Sequence, residues 1–105
     1  MSYEIFKRPQ AERDIEESFV FIAEDNLDSG VYFLVAVEDS LEQLADFPLI
    51  GKLRESQNKQ FQNMRMWHVK GYENYLIFYA VDEIKEMIEV IRVLYASRDI
   101  KDVFS

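Results

Sequence analysis

Basic side chains in the second half of the chain are its first candidates for chemistry. They are Lys52, Arg54, Arg65 and Arg92, and Tyr95 adds a hydroxyl close to Arg92. Fixed cations of this kind stabilise charge that develops on a phosphoryl or acyl oxygen. For Arg92 an equally good interpretation is a structural arginine paired with an acid at a sheet edge.

The single histidine is the side chain with an ordinary pKa nearest to neutrality. If residues 64–69 form a strand, His68 points to the same side as Met64 and Met66, opposite Arg65 and Trp67. This placement favours a histidine in or beside the core over a catalytic base. Tyrosine is a poor base near pH 7, because its pKa is about 10.

Aromatic residues are frequent between positions 67 and 79, and they could stack on nucleobases. Aromatic side chains in strands more often fill a core, and a core role is favoured for Trp67, Tyr72, Tyr75, Phe78 and Tyr79. The chain has no cysteine, and its paired acids lack histidine neighbours. We therefore expect neither a metal site nor a cofactor.

Composition indicates one domain, residues 1–105, with 49% apolar residues and no targeting or membrane-spanning segment. The absence of cysteine favours a cytoplasmic protein. The net charge of −8 is uneven: residues 1–50 carry three bases and twelve acids, whereas residues 51–70 carry five bases and one acid. Overall acidity argues against generic nucleic-acid binding, but a local basic strip remains.

Two apolar stripes at helical spacing predict an antiparallel helix hairpin, with a turn at residues 26–30. The stripes are Ala11, Ile15, Phe19, Ile22 and Ala23, then Phe33, Val37, Leu41, Leu44 and Ala45. A strand at 3–8 precedes them, and Pro48 ends the second helix. Residues 48–63 are interpreted as a loop that can include a short strand at its start. Strands follow at 64–69, 75–81 and 87–96.

The predicted fold class is α+β, in the order β-α-α-β-β-β. The short connections favour an antiparallel sheet, and the helix hairpin covers one of its faces. The opposite face and its loops are then left for function. If residues 87–96 alternate strictly, Arg92 shares a face with Val90 and Leu94.

Three segments resemble the RelE/ParE superfamily of toxins, sometimes called plasmid stabilisation proteins. Residues 44–52, LADFPLIGK, are similar to the helix exit "L…P…G-(K/R)" of that family. Residues 65–69 followed by YLIFY at 75–79 resemble its strand pair "R…V…Y-x-I-x-Y". Residues 90–99, VIRVLYASRD, are similar to the ending "I-x-R-V-L-H-x-x-R-D" of the ParE branch, with Tyr95 in place of histidine.

The resemblance implies the toxin of a type II toxin–antitoxin module, in which a cognate antitoxin wraps an inhibitor of growth. The ParE branch is favoured, and its members act by binding DNA gyrase. In the alternative, a RelE-like enzyme cuts messenger RNA on the ribosome, and Arg92, Arg65 and Lys52 would be its catalytic residues. A non-toxic, antitoxin-binding domain is a third interpretation. Family members are often basic, and this chain is acidic.

Binding of a target or partner is assigned to other side chains of the same region. These are Arg54, Trp67, Tyr95 and Arg98. A homodimer or a heterotetramer with the antitoxin is the expected assembly. An antitoxin helix or strand is expected in an apolar groove between the helix hairpin and the sheet.

Overall fold

The computed structural model describes residues 2–96 and 100–105, and it has the predicted order of one strand, two helices and a meander of strands. The predicted α+β fold class is confirmed. The elements are β1 (Glu4–Lys7), α1 (Pro9–Asp25), α2 (Leu27–Asp46), β2 (Lys52–Arg54), a 3-10 turn (Lys59–Phe61), β3 (Met64–Val69), β4 (Tyr72–Asp82), β5 (Met87–Tyr95) and α3 (Ile100–Val103).

The turn of the helix hairpin is a single residue, Asn26. It follows the last residue of α1, and its side chain accepts a hydrogen bond of 3.1 Å from the Ser29 amide as the N-cap of α2. The predicted turn at 26–30 is therefore too long, and Gly30 lies inside α2. A Cβ atom at Gly30 would stand 2.8 Å from that of Ala23, so glycine lets the helices approach closely.

The strands form one sheet in the order β1-β5-β4-β3-β2. The pairs from β2 to β5 are antiparallel, as their short connections predict. The outer pair of β1 with β5 is parallel. No short loop joins these two strands, so the local turns could not indicate their relative direction.

The main core lies between the helix hairpin and one face of the sheet. Phe33, Val37 and Leu44 are fully buried there, and the Phe33 ring contacts the rings of Tyr72 and Tyr75 at 5.3 and 4.8 Å. Phe19 was expected to face the sheet as well. It is only half-buried. Its ring lies against α2 near Gly30, where the two helices are in close contact, and not against the sheet.

The opposite face of the sheet, expected to be open, carries a second apolar cluster. Met64, Phe78, Ile91 and Leu94 are buried there beneath Phe104, which directly follows α3. The middle of β4 is apolar on both sides, which is the pattern of a strand covered on both faces. The C-terminal segment supplies that second cover.

A bulge in β5 reverses the expected facing of its residues. Phe78 pairs with Arg92 and Tyr79 pairs with Val90, so Ile91 is the extra residue. Val90 therefore belongs to the helix-side core and Leu94 to the cluster on the outer face. The prediction that Arg92 shares one face with both of them is wrong.

The chain segment that leaves α2 is fixed by the side chains of Tyr79 and Arg65. The Tyr79 hydroxyl donates to the Pro48 carbonyl at 2.8 Å and accepts from the Gly51 amide at 2.9 Å. The Arg65 guanidinium donates to the Gly51 carbonyl at 2.8 Å. Any Cβ at Gly51 would overlap the Tyr79 ring, so the glycine of the helix exit is required sterically.

Truncation of the two helix phenylalanines should separate a core position from a peripheral one. Phe33→Ala removes a fully buried ring and should lower the free energy of unfolding by about 3–5 kcal/mol. Phe19→Ala should cost clearly less, because that side chain is only partly buried. Urea unfolding of both variants measures the difference, and equal losses would contradict this description of the core.

The Tyr79 hydroxyl should make the fold sensitive to alkaline pH. Burial raises the pKa of Tyr79, against smaller opposite effects of the Gly51 amide and Arg65. The folded state thus favours the neutral phenol. This contribution is complete below the unfolded pKa of about 10 and is lost as pH rises beyond it.

Replacement of Tyr79 by phenylalanine tests the contribution of the Tyr79 hydroxyl directly. Tyr79→Phe leaves the Gly51 amide without its partner and should cost about 1–3 kcal/mol at pH 8. Its stability should also fall less steeply than that of the parent between pH 9 and pH 11. Some slope will remain, because burial raises the pKa of Tyr75 too. Parallel pH profiles would contradict the prediction.

Candidate functional site

Arg92 is held by a buried carboxylate of α1. Asp14 Oδ2 accepts a hydrogen bond of 2.7 Å from Arg92 Nε, and Oδ1 accepts one of 3.0 Å from Nη2. The Val93 amide donates to Oδ2 at 3.0 Å. The Asp14 side chain is 2% exposed and that of Arg92 is 19% exposed. The guanidinium is thus neutralised by a bidentate partner at the sheet edge, as the structural interpretation of Arg92 required.

Sequence reasoning did not single out Asp14 among the twelve acids of residues 1–50. Its spacing carried a signal, however. Residues three and four apart lie on one helix face, so Asp14 stands between Ala11 and Ser18 on the inward side. A carboxylate within the apolar stripe must be paired to be buried. That constraint could have indicated a cationic partner.

Lys52 and Arg54 lie on the outer face of the sheet. They pair with Met66 and Met64 of β3, whose side chains belong to the outer cluster. The Arg54 guanidinium lies 5.9 Å from the ring centre of Phe78 and 5.3 Å from that of Phe104. This cation–π arrangement holds Arg54 against the C-terminal segment.

The three residues that the alternative of an RNA-cleaving enzyme would use lie in three different places. Lys52 is on the outer face of β2, whereas Arg65 of β3 lies beside Tyr79, on the helix side, and holds the Leu49 and Gly51 carbonyls. Arg92 is on β5, three strand spacings from β2, which is about 14 Å. The fold does not bring these cations together around one phosphate.

His68 and Lys52 line one shallow cavity of about 260 Å³, together with Met66 and Leu76. The predicted facing of His68 with Met64 and Met66, opposite Arg65 and Trp67, agrees with the strand register. The imidazole is half-buried and lies 4.8 Å from the Trp67 ring, centre to centre. Sequence reasoning did not link His68 to Lys52, because the partner of β2 was unknown.

The expected binding residues are also separated. Trp67 packs on the helix-side core and donates from Nε1 to Gln43 at 3.3 Å. Tyr95 is exposed at the end of β5, with its ring 5.0 Å from that of Tyr75. Arg98 lies outside the described residues.

Groups of histidine and acidic side chains that could hold a metal ion do not occur in residues 2–96 and 100–105. Within the same ranges, no helix combines the length and apolar character needed to cross a membrane.

Comparison with known proteins places these features in a family. The family described as "ParE toxin of type II toxin-antitoxin system, parDE" matches residues 5–100. A solved structure, that of the toxin–antitoxin complex RelBE2 from Mycobacterium tuberculosis, contains a chain with a similar fold. Its TM-score is 0.56 at 16% identity, over 90% of this chain and 99% of that one. No curated protein matches the chain by sequence.

A double-mutant cycle should show that Asp14 and Arg92 are strongly coupled. Asp14→Asn leaves the guanidinium without its anion and should lower the free energy of unfolding by about 3 kcal/mol. We expect the cycle with Arg92→Gln to give a coupling energy of about 1–3 kcal/mol.

The salt bridge between Arg8 and Glu89 is the matched control for this cycle. Its atoms are 3.0 Å apart, and both side chains are more than one third exposed. Arg8→Gln with Glu89→Gln should therefore show a coupling under about 1 kcal/mol. Equal coupling in the two cycles would rule out a special structural role of Asp14.

Proposed function

The chain belongs to the family of ParE toxins of type II toxin–antitoxin systems, and from that premise we propose that it arrests growth by binding DNA gyrase and is neutralised by a cognate antitoxin. The site of action is then the cytoplasm. Binding, rather than a covalent reaction on RNA, is the proposed mechanism.

The ion pair between Arg92 and Asp14 is the observation that carries this proposal. Its guanidinium makes two hydrogen bonds with Asp14, so it is oriented toward the helix and not toward a substrate. A catalytic cation must be aimed at the position where charge develops. Since Lys52 and Arg65 lie elsewhere, a preorganised cluster of three cations is missing from the described arrangement.

Exposed apolar side chains support a protein partner. Phe21, Tyr32, Phe47 and Leu49 are each more than half exposed, so these large apolar side chains are available for contact with a partner. A cognate antitoxin is the partner that the family implies. A homodimer of the chain, or a heterotetramer with the antitoxin, is the corresponding assembly.

An RNA-cleaving enzyme is the second candidate, because one observation favours it. His68 and Lys52 border the same cavity on the outer sheet face. An imidazole and an ammonium group so placed could take up a proton and stabilise a phosphorane. Such an enzyme would use His68 and Lys52, and Arg92 would only support the strand.

Inducible expression separates the two mechanisms. For the binding mechanism we expect growth arrest with DNA breaks, inhibition of supercoiling by purified gyrase, and no codon-phased transcript ends. Co-expression of the neighbouring reading frame should restore growth. Arg92→Lys should lower toxicity only as far as it lowers the folded fraction, because it alters an internal ion pair.

The controls are His68→Ala and Lys52→Ala, which leave the Asp14–Arg92 pair intact. Codon-phased transcript cuts that disappear in either variant would establish an RNA-cleaving enzyme and overturn the gyrase proposal. Complex formation with the neighbouring product, without any growth arrest of the free chain, would identify a non-toxic binding domain.

A further inference from the structure

Strand β1 forms one edge of the sheet, with β5 as its neighbour on the other side. The amides of Glu4 and Arg8 each donate to a carbonyl of the β5 side at 3.0 Å. Alternate residues of a strand direct their backbone groups to opposite sides. The backbone groups of Ile5 and Lys7 therefore point away from β5, where the described sheet supplies no further strand.

The side chains of β1 alternate between the two faces of the sheet. Ile5 packs against the helix-side core, and the Lys7 ammonium pairs with Glu38 of α2 at 2.8 Å. Phe6 lies on the outer face and is 50% exposed. An exposed aromatic ring beside unpaired backbone groups marks an edge to which a further strand can be added.

The charges of this segment have opposite signs at equal distances from Phe6. Glu4 precedes Phe6 by two residues, and Arg8 follows it by two. If two copies pair in antiparallel orientation about Phe6, Glu4 of each copy lies opposite Arg8 of the other. Ile5 lies opposite Lys7, so their free amides and carbonyls bond each other in both directions. The two Phe6 rings meet as a non-hydrogen-bonded pair, in which side chains are closest.

The same register ends where the free edge ends. The Tyr3 amide already donates to the Ala45 carbonyl of α2 at 2.9 Å. Pro9 would lie opposite Tyr3, and proline has no amide to donate. The pairing therefore matches the free backbone groups of Ile5 and Lys7 and requires none beyond them.

We propose that β1 pairs with β1 of a second copy of the chain, in antiparallel orientation with Phe6 opposite Phe6. The two five-stranded sheets then join into one, and a two-fold axis perpendicular to the sheet keeps both helix layers on the same side. This contact gives a homodimer a defined interface. It requires neither toxicity nor an antitoxin.

Charge favours this edge over the opposite one. In β2, Lys52 and Arg54 flank Leu53, so an antiparallel pair about Leu53 would oppose Lys52 to Arg54 of the copy. Like charges directly opposite destabilise a strand pair, whereas opposite charges stabilise it. The chain carries −8 in total, and two of the three bases in residues 1–50, Lys7 and Arg8, lie in or directly after β1. Repulsion between two acidic copies is therefore reduced at this edge.

The absence of cysteine allows a direct test by disulfide trapping. In the proposed pair the two Phe6 Cα atoms are about 4.5 Å apart. That separation is within the range that a disulfide bridges. Under mild oxidation, Phe6→Cys should form a covalent dimer at least about tenfold faster than Leu53→Cys, because pairing raises the effective concentration of the thiols. Leu53 is the matched control, since it is 45% exposed at the centre of the other edge strand.

Reversible dimerisation of the parent chain should be weak, because each copy contributes one strand of four residues. Contacts below the standard interface size give low affinity, and we expect a Kd on the order of 100 µM by sedimentation velocity. Glu4→Lys places a base opposite Arg8 of the copy and should raise the Kd at least about fivefold. Glu55→Lys makes the same change of net charge directly after β2, and it should leave the Kd unchanged or lower it. Circular dichroism confirms that each variant is folded.

The outcomes keep this inference distinct from the proposed function. Equal rates of linkage for Phe6→Cys and Leu53→Cys, or a parent chain that is monomeric at about 1 mM, would overturn the pairing. A dimer that Glu4→Lys does not weaken would overturn it as well. Protection of the Ile5 and Lys7 amides from hydrogen exchange only after the neighbouring product is added would assign the edge to that partner instead. A monomeric chain that still arrests growth would leave the toxin function in place.

Discussion

The buried carboxylate of Asp14 fastens the helix layer to the sheet. Strand β1 pairs with β5 only as far as Val90, and the Arg8 amide makes the last contact with the Val90 carbonyl. Beyond that point the Val93 amide would face no strand. Asp14 accepts its hydrogen bond, so α1 continues the edge where β1 ends. A buried amide needs such a partner, and the geometry of the sheet edge therefore depends on α1.

The Asp14 interaction also determines the role of Arg92. Arg92 balances Asp14, because a carboxylate that is 2% exposed is stable only when paired. The bulge at Ile91 lets one strand hold Val90 in the helix-side core, Arg92 against Asp14 and Leu94 in the outer cluster. The Arg65 guanidinium likewise has an internal role, because it donates hydrogen bonds to carbonyls of the segment after α2. Basic residues that look alike in the sequence thus have different physical roles.

Local patterns predicted most of the elements because each reflects a short-range constraint. The limits of β3 match the predicted 64–69, and the buried residues of α2 follow its apolar stripe. Features that depend on contacts between distant parts of the chain were not predicted. The parallel β1–β5 pair, the bulge at Ile91 and the burial of Phe104 each depend on residues far away in the chain. A prediction that Lys52 and Arg92 lie apart would have required the strand order as well.

The segregation of charge changes what the acidity of the chain implies. The exposed negative charge lies largely on two helices, whereas the solvent-facing bases beside β2 keep their own local field. Screening limits such fields to about 10 Å at ordinary salt, so the two surfaces act nearly independently. A net charge of −8 therefore does not describe either of them. The acidic hairpin and the sheet side therefore present different local charges to the solvent.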